Sequence, residues 1–246
     1  MPTLPDGITA CLFDLDGVLT QTAKVHAKAW KQMFDEFLHG WYERAGEPYR
    51  EFVLPGDYEE YVDGKPRRDG VRSFLESRGI KLPEGTADDP PEADTVFGLG
   101  LRKNNLVLRL INEEGVESYP DAVAFVHYAK DRGLHRAVVS SSANAQQVLM
   151  AAGIEDLFEA RIDGIVADRE HLAGKPAPDT FLAGAEAVGV EPAQAAVFED
   201  AEAGVAAGRA GHFGLVVGVD RTGHAEALRE HGADVVVQDL TELERS

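Results

Sequence analysis

Five short apolar runs recur along the chain without strict alternation of polar and apolar residues: Ile8 to Phe13, Ala137 to Val139, Ala195 to Phe198, Leu215 to Val219 and Val235 to Val237. A strand with one wet face alternates, whereas a strand covered on both faces does not, so these runs suit a parallel sheet. Between them lie helical stretches, Asp121 to Arg132, Ala145 to Ala152, Asp179 to Val188 and Ala201 to Ala210, closed by Gly133, Gly153, Gly189 and Gly211. Glycine is the residue that most readily adopts the left-handed turn ending a helix. Strands alternating with helices predict βαβ units and an α/β fold with a doubly wound, Rossmann-like parallel sheet.

Residues 22–112 read differently. Val25 to Leu38, Asp69 to Arg78 and Val96 to Asn112 carry helical patterns, no buried-strand run interrupts them, and Gly40, Pro55-Gly56 and the acidic stretch Pro83 to Asp94 read as loops. The expected organisation is a core made of residues 1–21 and 113–246, with a helical cap domain inserted at 22–112. With 246 residues, 44% of them hydrophobic, one large unit or two small ones can bury a proper core.

The formal charge is −19, from 24 Lys+Arg against 43 Asp+Glu. No nucleic-acid partner is expected on this ground, because a phosphate backbone rewards concentrated cation. The acidity is uneven: residues 22–112 hold 14 basic and 16 acidic residues, the remainder 10 and 27. Cys11 is the only cysteine, so no intramolecular disulfide forms, and its place in an apolar run reads as a small buried strand residue. No basic segment with an apolar run opens the chain and no window approaches the ~18 apolar residues of a membrane span. A soluble, cytoplasmic monomer without membrane partners is expected.

The chemistry gathers where strands end. The first run closes in Phe13-Asp14-Leu15-Asp16-Gly17, which places two carboxylates at the carboxyl edge of the sheet, where open α/β folds bind ligands. Two acids there can hold a divalent cation, and Asp14 could attack phosphorus; a pair of turn-forming aspartates before a glycine is the plainer account. Ser140-Ser141-Ser142-Ala143-Asn144 leads into a helix whose free N–H groups suit a phosphate, or simply caps it. Lys175 stands before Pro176 and a proline-started helix, which restricts where its ammonium points. Glu199-Asp200 puts hard oxygen ligands at another strand end, where they complete a Mg²⁺ shell with Asp14 or are merely solvated.

The order Asp-x-Asp, Ser, Lys-Pro, Glu-Asp resembles the haloacid dehalogenase superfamily, and within it the β-phosphoglucomutase family. The narrower resemblance rests on His26-Ala27-Lys28-Ala29-Trp30, Tyr61 to Arg67 and Arg102-Lys103-Asn104. It implies Asp14 as nucleophile and Asp16 as acid/base, with Ser140 and Lys175 on the transferring phosphoryl group and Ser141, Ser142 and Asn144 in the same serine motif. It implies Mg²⁺ held by Asp14, the backbone carbonyl of Asp16, Glu199 and Asp200. Thr22 and His26 would sit at the cap hinge, Trp30 in the cap motif, Arg67 on the non-transferring phosphate, and Lys103 with Asn104 on the sugar. The implied reaction interconverts β-D-glucose 1-phosphate and glucose 6-phosphate, with a small phosphorylated sugar as partner and glucose 1,6-bisphosphate as intermediate and activator. Departures are Gln21, Ala143 and Ala201, where the family often has aspartate, lysine and serine. A Mg-dependent sugar-phosphate phosphatase is the alternative enzyme. A non-catalytic phospho-ligand module is the non-enzyme alternative, disfavoured because every reactive group is present.

Overall fold

Six parallel strands run through the larger of two units in the computed structural model, which describes residues 3–244. In chain order the elements are β1 (Ala10–Phe13), α1 (Thr22–Ala45), α2 (Gly56–Tyr61), α3 (Arg67–Ser77), α4 (Val96–Glu114), α5 (Pro120–Asp131), β2 (His135–Val139), α6 (Ala145–Ala151), β3 (Ala160–Ile162), α7 (Gly164–Glu170), α8 (Asp179–Ala187), β4 (Ala195–Glu199), α9 (Glu202–Ala210), β5 (Leu215–Val219), α10 (Ala225–Glu230) and β6 (Val235–Val237). The sheet order is β3-β2-β1-β4-β5-β6. Every described neighbouring pair is parallel. This is the doubly wound α/β fold that the apolar runs predict.

The reason for unbroken apolar runs is visible in β1, β4 and β5, where every residue is buried. On one face Phe13 stacks on Phe198 at 4.6 Å between ring centroids and meets Phe125 of α5 edge-on. Leu12, Val139, Phe181, Val197 and Val205 belong to a second apolar cluster. Phe13 pairs in register with both Val138 and Phe198, so β2 and β4 each run one residue past the end of β1 on either side of it. The chain leaves β1 for β2 on one side and returns to β4 on the other, which makes the β1/β4 edge the point where the winding reverses, the place where open α/β sheets generally bind ligands.

Contacts divide the chain into a first unit of Met1–Thr22, Gly64–Pro66 and Val116–Ser246, and a second of Ala23–Asp63 and Arg67–Gly115. The second unit is helical and centres on rings: Trp30 stacks on Phe34 at 5.3 Å, Phe34 on Phe52 at 5.2 Å, and Phe74 lies 4.2 Å from Phe34. Trp30, Met33, Phe34, Phe37 and Leu38 are buried at helical spacing along α1.

Two local expectations are corrected. Gly40 does not interrupt α1, which continues to Ala45; a glycine costs a helix only about 1 kcal/mol, and burial of Leu38 and Tyr42 on either side offsets it. The sheet also has one strand more than the apolar runs indicate, β3, which is three residues long with Arg161 at its centre.

Candidate active site

Asp14, Ser140, Lys175, Glu199 and Asp200 converge at the carboxyl ends of β1, β2 and β4. Asp14 directly follows β1 and its backbone N–H donates to Phe198 O at 2.9 Å. Lys175 Nζ donates to Asp14 Oδ1 at 2.5 Å, to Val139 O at 3.2 Å and to Glu199 Oε1, and it lies 4.8 Å from the centroid of the Phe181 ring. The Lys175 and Glu199 side chains are each 1% exposed, and Asp14's is 10%.

Two carboxylates and one ammonium closed off from water leave an excess of negative charge. Burial alone pushes the Glu199 carboxyl up, and Asp14 beside it pushes further, so that despite Lys175 and the Ala201 N–H it stands at about 7. For Lys175 burial works to lower the ammonium, but Asp14 and Glu199 outweigh it and the net direction is upward. The ammonium is therefore fixed in its charged form.

Asp16 faces elsewhere. Thr22 Oγ1 donates to its Oδ1, Ser140 Oγ donates to its Oδ2 at 3.5 Å, and Thr20 and Thr22 hydroxyls lie 2.7 Å apart. Ser140 Oγ also accepts from Ser142 N at 3.1 Å and Ser142 Oγ from Asn144 N at 3.2 Å, a chain of local bonds that holds the loop open toward α6. Ser141 instead donates to Gly64 O at 2.8 Å.

Oxygens of Asp14, Glu199 and Asp200 lie within 4.8 Å of one another, a spacing and a hard-oxygen donor set that fit a divalent cation such as Mg²⁺. The carboxylate of Asp16, turned to Thr22 and Ser140, lies outside this trio. Room for the trio comes from two glycines. A Cβ on Gly204 would fall 1.8 Å from Glu199 Oε1, and one on Gly17 1.8 Å from Asp200 Oδ2. Gly17 further has φ +104, a conformation open to glycine and costly to other residues. The small-residue character of α9 thus has a local cause at Gly204.

Of the remaining residues singled out in the sequence, five group within the helical unit. Arg67 Nη1 donates to Asn104 Oδ1, Lys103 Nζ donates to His26 Nδ1 at 3.1 Å, and Lys103 lies 4.8 Å from the centroid of the Trp30 ring. Burial first, then the charges of Lys103 and Arg67, hold His26 well below its ordinary pKa. A neutral ring leaves Nδ1 free to accept from the lysine.

The loop after β5, residues 220–224, ends at this same edge and escaped the sequence reading. Its position directly after a buried parallel strand was the one available signal.

A parallel sheet that gathers acids, a buried lysine and a serine at its carboxyl edge defines an α/β enzyme of the phosphoryl-transfer type, and the chain belongs to the haloacid dehalogenase-like hydrolase family, whose model matches residues 8–212. Among its relatives is a β-phosphoglucomutase of Mycobacterium tuberculosis (strain CDC 1551 / Oshkosh), 54% identical over 243 residues that cover 98% of this chain and 93% of that one. A validoxylamine A 7'-phosphate phosphatase of Streptomyces hygroscopicus subsp. limoneus is 32% identical over 244 residues, 94% of each chain. A crystal structure of a β-phosphoglucomutase from Clostridium difficile matches with a TM-score of 0.74 at 27% identity, covering 96% of this chain and 93% of that one. No helix among the described residues is long and apolar enough to cross a membrane.

Proposed function

We propose that this enzyme is a β-phosphoglucomutase that interconverts β-D-glucose 1-phosphate and glucose 6-phosphate. The observation that carries the chemistry is the pairing of Asp14, held by Lys175 at the sheet edge, with Asp16, whose carboxylate is held apart by Thr22 and Ser140. Two acids in different settings suit different tasks. The choice of sugar rests on the 54% identity to a β-phosphoglucomutase over nearly the whole chain.

In this reading an Oδ atom of Asp14 attacks the phosphorus of a sugar phosphate while the bond from phosphorus to the sugar oxygen breaks, and Asp16 gives its proton to that leaving oxygen. The aspartyl phosphate then passes its phosphoryl group to the 6-hydroxyl of β-glucose 1-phosphate, whose proton goes to Asp16, which gives glucose 1,6-bisphosphate. Turned end for end, the bisphosphate returns its C1 phosphoryl group to Asp14 and leaves as glucose 6-phosphate. Lys175 and Ser140 neutralise the equatorial oxygens of the loose transition state. Asp14, Glu199, Asp200 and the backbone carbonyl of Asp16 would hold Mg²⁺, which when bound offsets the charge of the phosphoryl oxygens and of the carboxylates themselves. Ser141, Ser142 and Asn144 shape the loop beneath the phosphate.

The helical insert at 22–112 acts as the cap. Arg67 takes the non-transferring phosphate, since a guanidinium fork matches that anion. Lys103, Asn104 and Trp30 face the sugar, and Thr22 and His26 serve the hinge. A phosphatase is the second reading, favoured by the 32% identical phosphatase relative. One experiment separates them: β-glucose 1-phosphate supplied with Mg²⁺ and a trace of glucose 1,6-bisphosphate, followed by NMR. Glucose 6-phosphate is the expected product, and free phosphate without isomerised sugar decides for hydrolysis. In the same assay Asp14→Asn forms no phosphoenzyme; unchanged turnover would rule out the covalent route.

A further inference from the structure

The loop after β5 touches both acid-bearing loops of the site. Arg221 spends its guanidinium on four acceptors: Nε donates to Gly17 O at 3.4 Å, Nη2 to Val18 O at 3.3 Å and to Asp121 Oδ2 at 3.0 Å, and Nη1 to Gln238 O at 2.9 Å. Its Cζ lies 3.9 Å from the Tyr119 ring centroid, and its side chain is only 11% exposed. Asp121 Oδ2 also accepts from Leu240 N at 3.0 Å, so the arginine's partner is itself pinned to the end of the sheet unit. Three residues further on, His224 Nε2 donates to Asp200 O at 2.9 Å. Its other nitrogen, Nδ1, lies 2.6 Å from the Thr222 hydroxyl.

The two carbonyls that Arg221 holds belong to the residues immediately after Asp16. That turn contains Gly17 at φ +104, and glycine is the residue with the widest choice of backbone conformations. Inside the turn Gly17 N donates to Thr20 O at 2.8 Å, and Leu19 N and Thr20 N donate to Leu15 O, each at 3.0 Å. The carbonyls of Gly17 and Val18 point outward, to a charge. A planar fork with several fixed donors can set the orientation of two consecutive peptide groups, which an ammonium on a flexible stem cannot. The same turn packs against Asp200 with no space for a Cβ at Gly17, so a shift of the turn also shifts Asp200.

We infer that Arg221 is a positioning residue for Asp16: it touches neither the reacting oxygen nor the phosphate, and acts by fixing the peptide groups of Gly17 and Val18. The inference rests on the phosphoryl-transfer reading above, in which Asp16 moves the proton. His224 does the corresponding work on Asp200, so that one loop, Asp220 to His224, sets the spacing of the two acid-bearing turns.

The test is Arg221→Gln and Arg221→Lys in the full chain, with Arg209→Gln as a control that removes only an exposed ion pair to Asp234. Both Arg221 variants are expected to lose roughly 10- to 100-fold in kcat, the scale of a misplacement of about an ångström, with KM nearly unchanged. Backbone amide hydrogen exchange in the segment Asp16 to Thr20 is expected to accelerate in both, and in neither case for Arg209→Gln. Wild-type kcat in Arg221→Gln overturns the inference, and so does a loss of kcat with no change of exchange in that segment. If Arg221→Gln does not fold, Asp121→Asn keeps the arginine and loosens its anchor; it must show the same two effects in smaller measure, and the absence of both overturns the inference. Exchange needs no substrate. A wild-type enzyme that leaves β-glucose 1-phosphate untouched therefore counts against the proposed function, while the exchange result still decides whether Arg221 holds the turn.

Discussion

Lys175 Nζ sits 2.5 Å from Asp14 Oδ1 across 161 residues of chain, and both side chains are nearly closed to solvent. Removing one partner of a buried pair leaves an uncompensated charge and costs roughly 3–5 kcal/mol. Lys175→Met, which keeps the stem and loses the ammonium, is therefore expected to lower stability by about that amount in metal-free buffer. Turnover should fall by roughly 100-fold or more if Lys175 stabilises the transition state as proposed. Added Mg²⁺ should recover part of the stability, because any cation that binds the folded state alone shifts the equilibrium. Urea unfolding with and without Mg²⁺ is the measurement, and a variant as stable as wild type without metal would show that the lysine does not neutralise this site.

Gly204 gives the acid trio a steric test. A methyl group there would overlap Glu199 along its length, at 1.8 Å from Oε1, 2.0 Å from Cδ and 2.6 Å from Cγ. Glu199 is fully buried and bonded to Lys175 and Ala201, so the side chain has nowhere to swing. Gly204→Ala should weaken Mg²⁺ binding in calorimetry by roughly 10- to 100-fold, the range for displaced support of a metal ligand. Gly133→Ala is the contrast: its Cβ meets nothing within 4 Å, and only its φ of +71 resists substitution. That variant should lose about 1–2 kcal/mol of stability and keep wild-type Mg²⁺ affinity. Equal Mg²⁺ affinities in the two variants would detach Gly204 from the acid trio.

Thr22 is the second hydroxyl on Asp16, and it lies at the first residue of α1. A hydrogen bond to a charged group contributes about 1.5–3 kcal/mol. Thr22→Val preserves shape and deletes the donor, so kcat should drop by roughly 10- to 100-fold on that scale, and Thr22→Ser should restore most of it. If the serine variant is as impaired as the valine, packing rather than the hydroxyl is what Asp16 needs.

What could be read in the chain follows from how local each signal is. The run Ile8 to Phe13 announces a strand because it holds no charged residue and Ala10 to Phe13 are all buried, and Asp14 is conspicuous as the first charge after it. Glu199 after Ala195 to Phe198 stands out for the same reason, and Lys175 stands out by the prolines that follow it. Strand β3 could not be read so, because three edge residues with a central Arg161 have no apolar run to show. Gly204 and Arg221 were illegible in another way: their roles depend on what lies against them, a carboxylate five residues back and two carbonyls about 200 residues away. No spacing in the sequence encodes such a contact.

In the proposed mutase reading, Arg67 takes the non-transferring phosphate. Within the helical unit it donates to Asn104, beside Lys103 and His26, in a group rich in donors. A bisphosphate must be gripped at its non-reacting end, whereas a simple aryl phosphate has no such end. Arg67→Ala should therefore reduce conversion of β-glucose 1-phosphate by at least about tenfold more than hydrolysis of p-nitrophenyl phosphate, in line with the loss of a charged hydrogen bond. Equal losses on the two substrates would remove the cap arginine from phosphate recognition.

Asp220 ties the Arg221 loop to itself, and its charge makes the tie pH-dependent. Burial alone would raise this carboxyl, but the N–H groups of His224 and Gly223, at 2.9 and 2.6 Å, with further help from His224 and Thr222, hold it below the ordinary range. A carboxyl depressed in the folded state stabilises the fold above its unfolded value, near 3.9, and ceases to do so as pH falls through the folded value. Asp220→Asn keeps an acceptor oxygen and discards the charge. The variant should be less stable than wild type by about 1–2 kcal/mol at neutral pH, with the gap constant down to roughly pH 5 and closing below about pH 4. Urea midpoints measured across that range decide the matter. A gap that persists undiminished at pH 3, or widens there, would mean that the carboxylate's charge does not hold this loop.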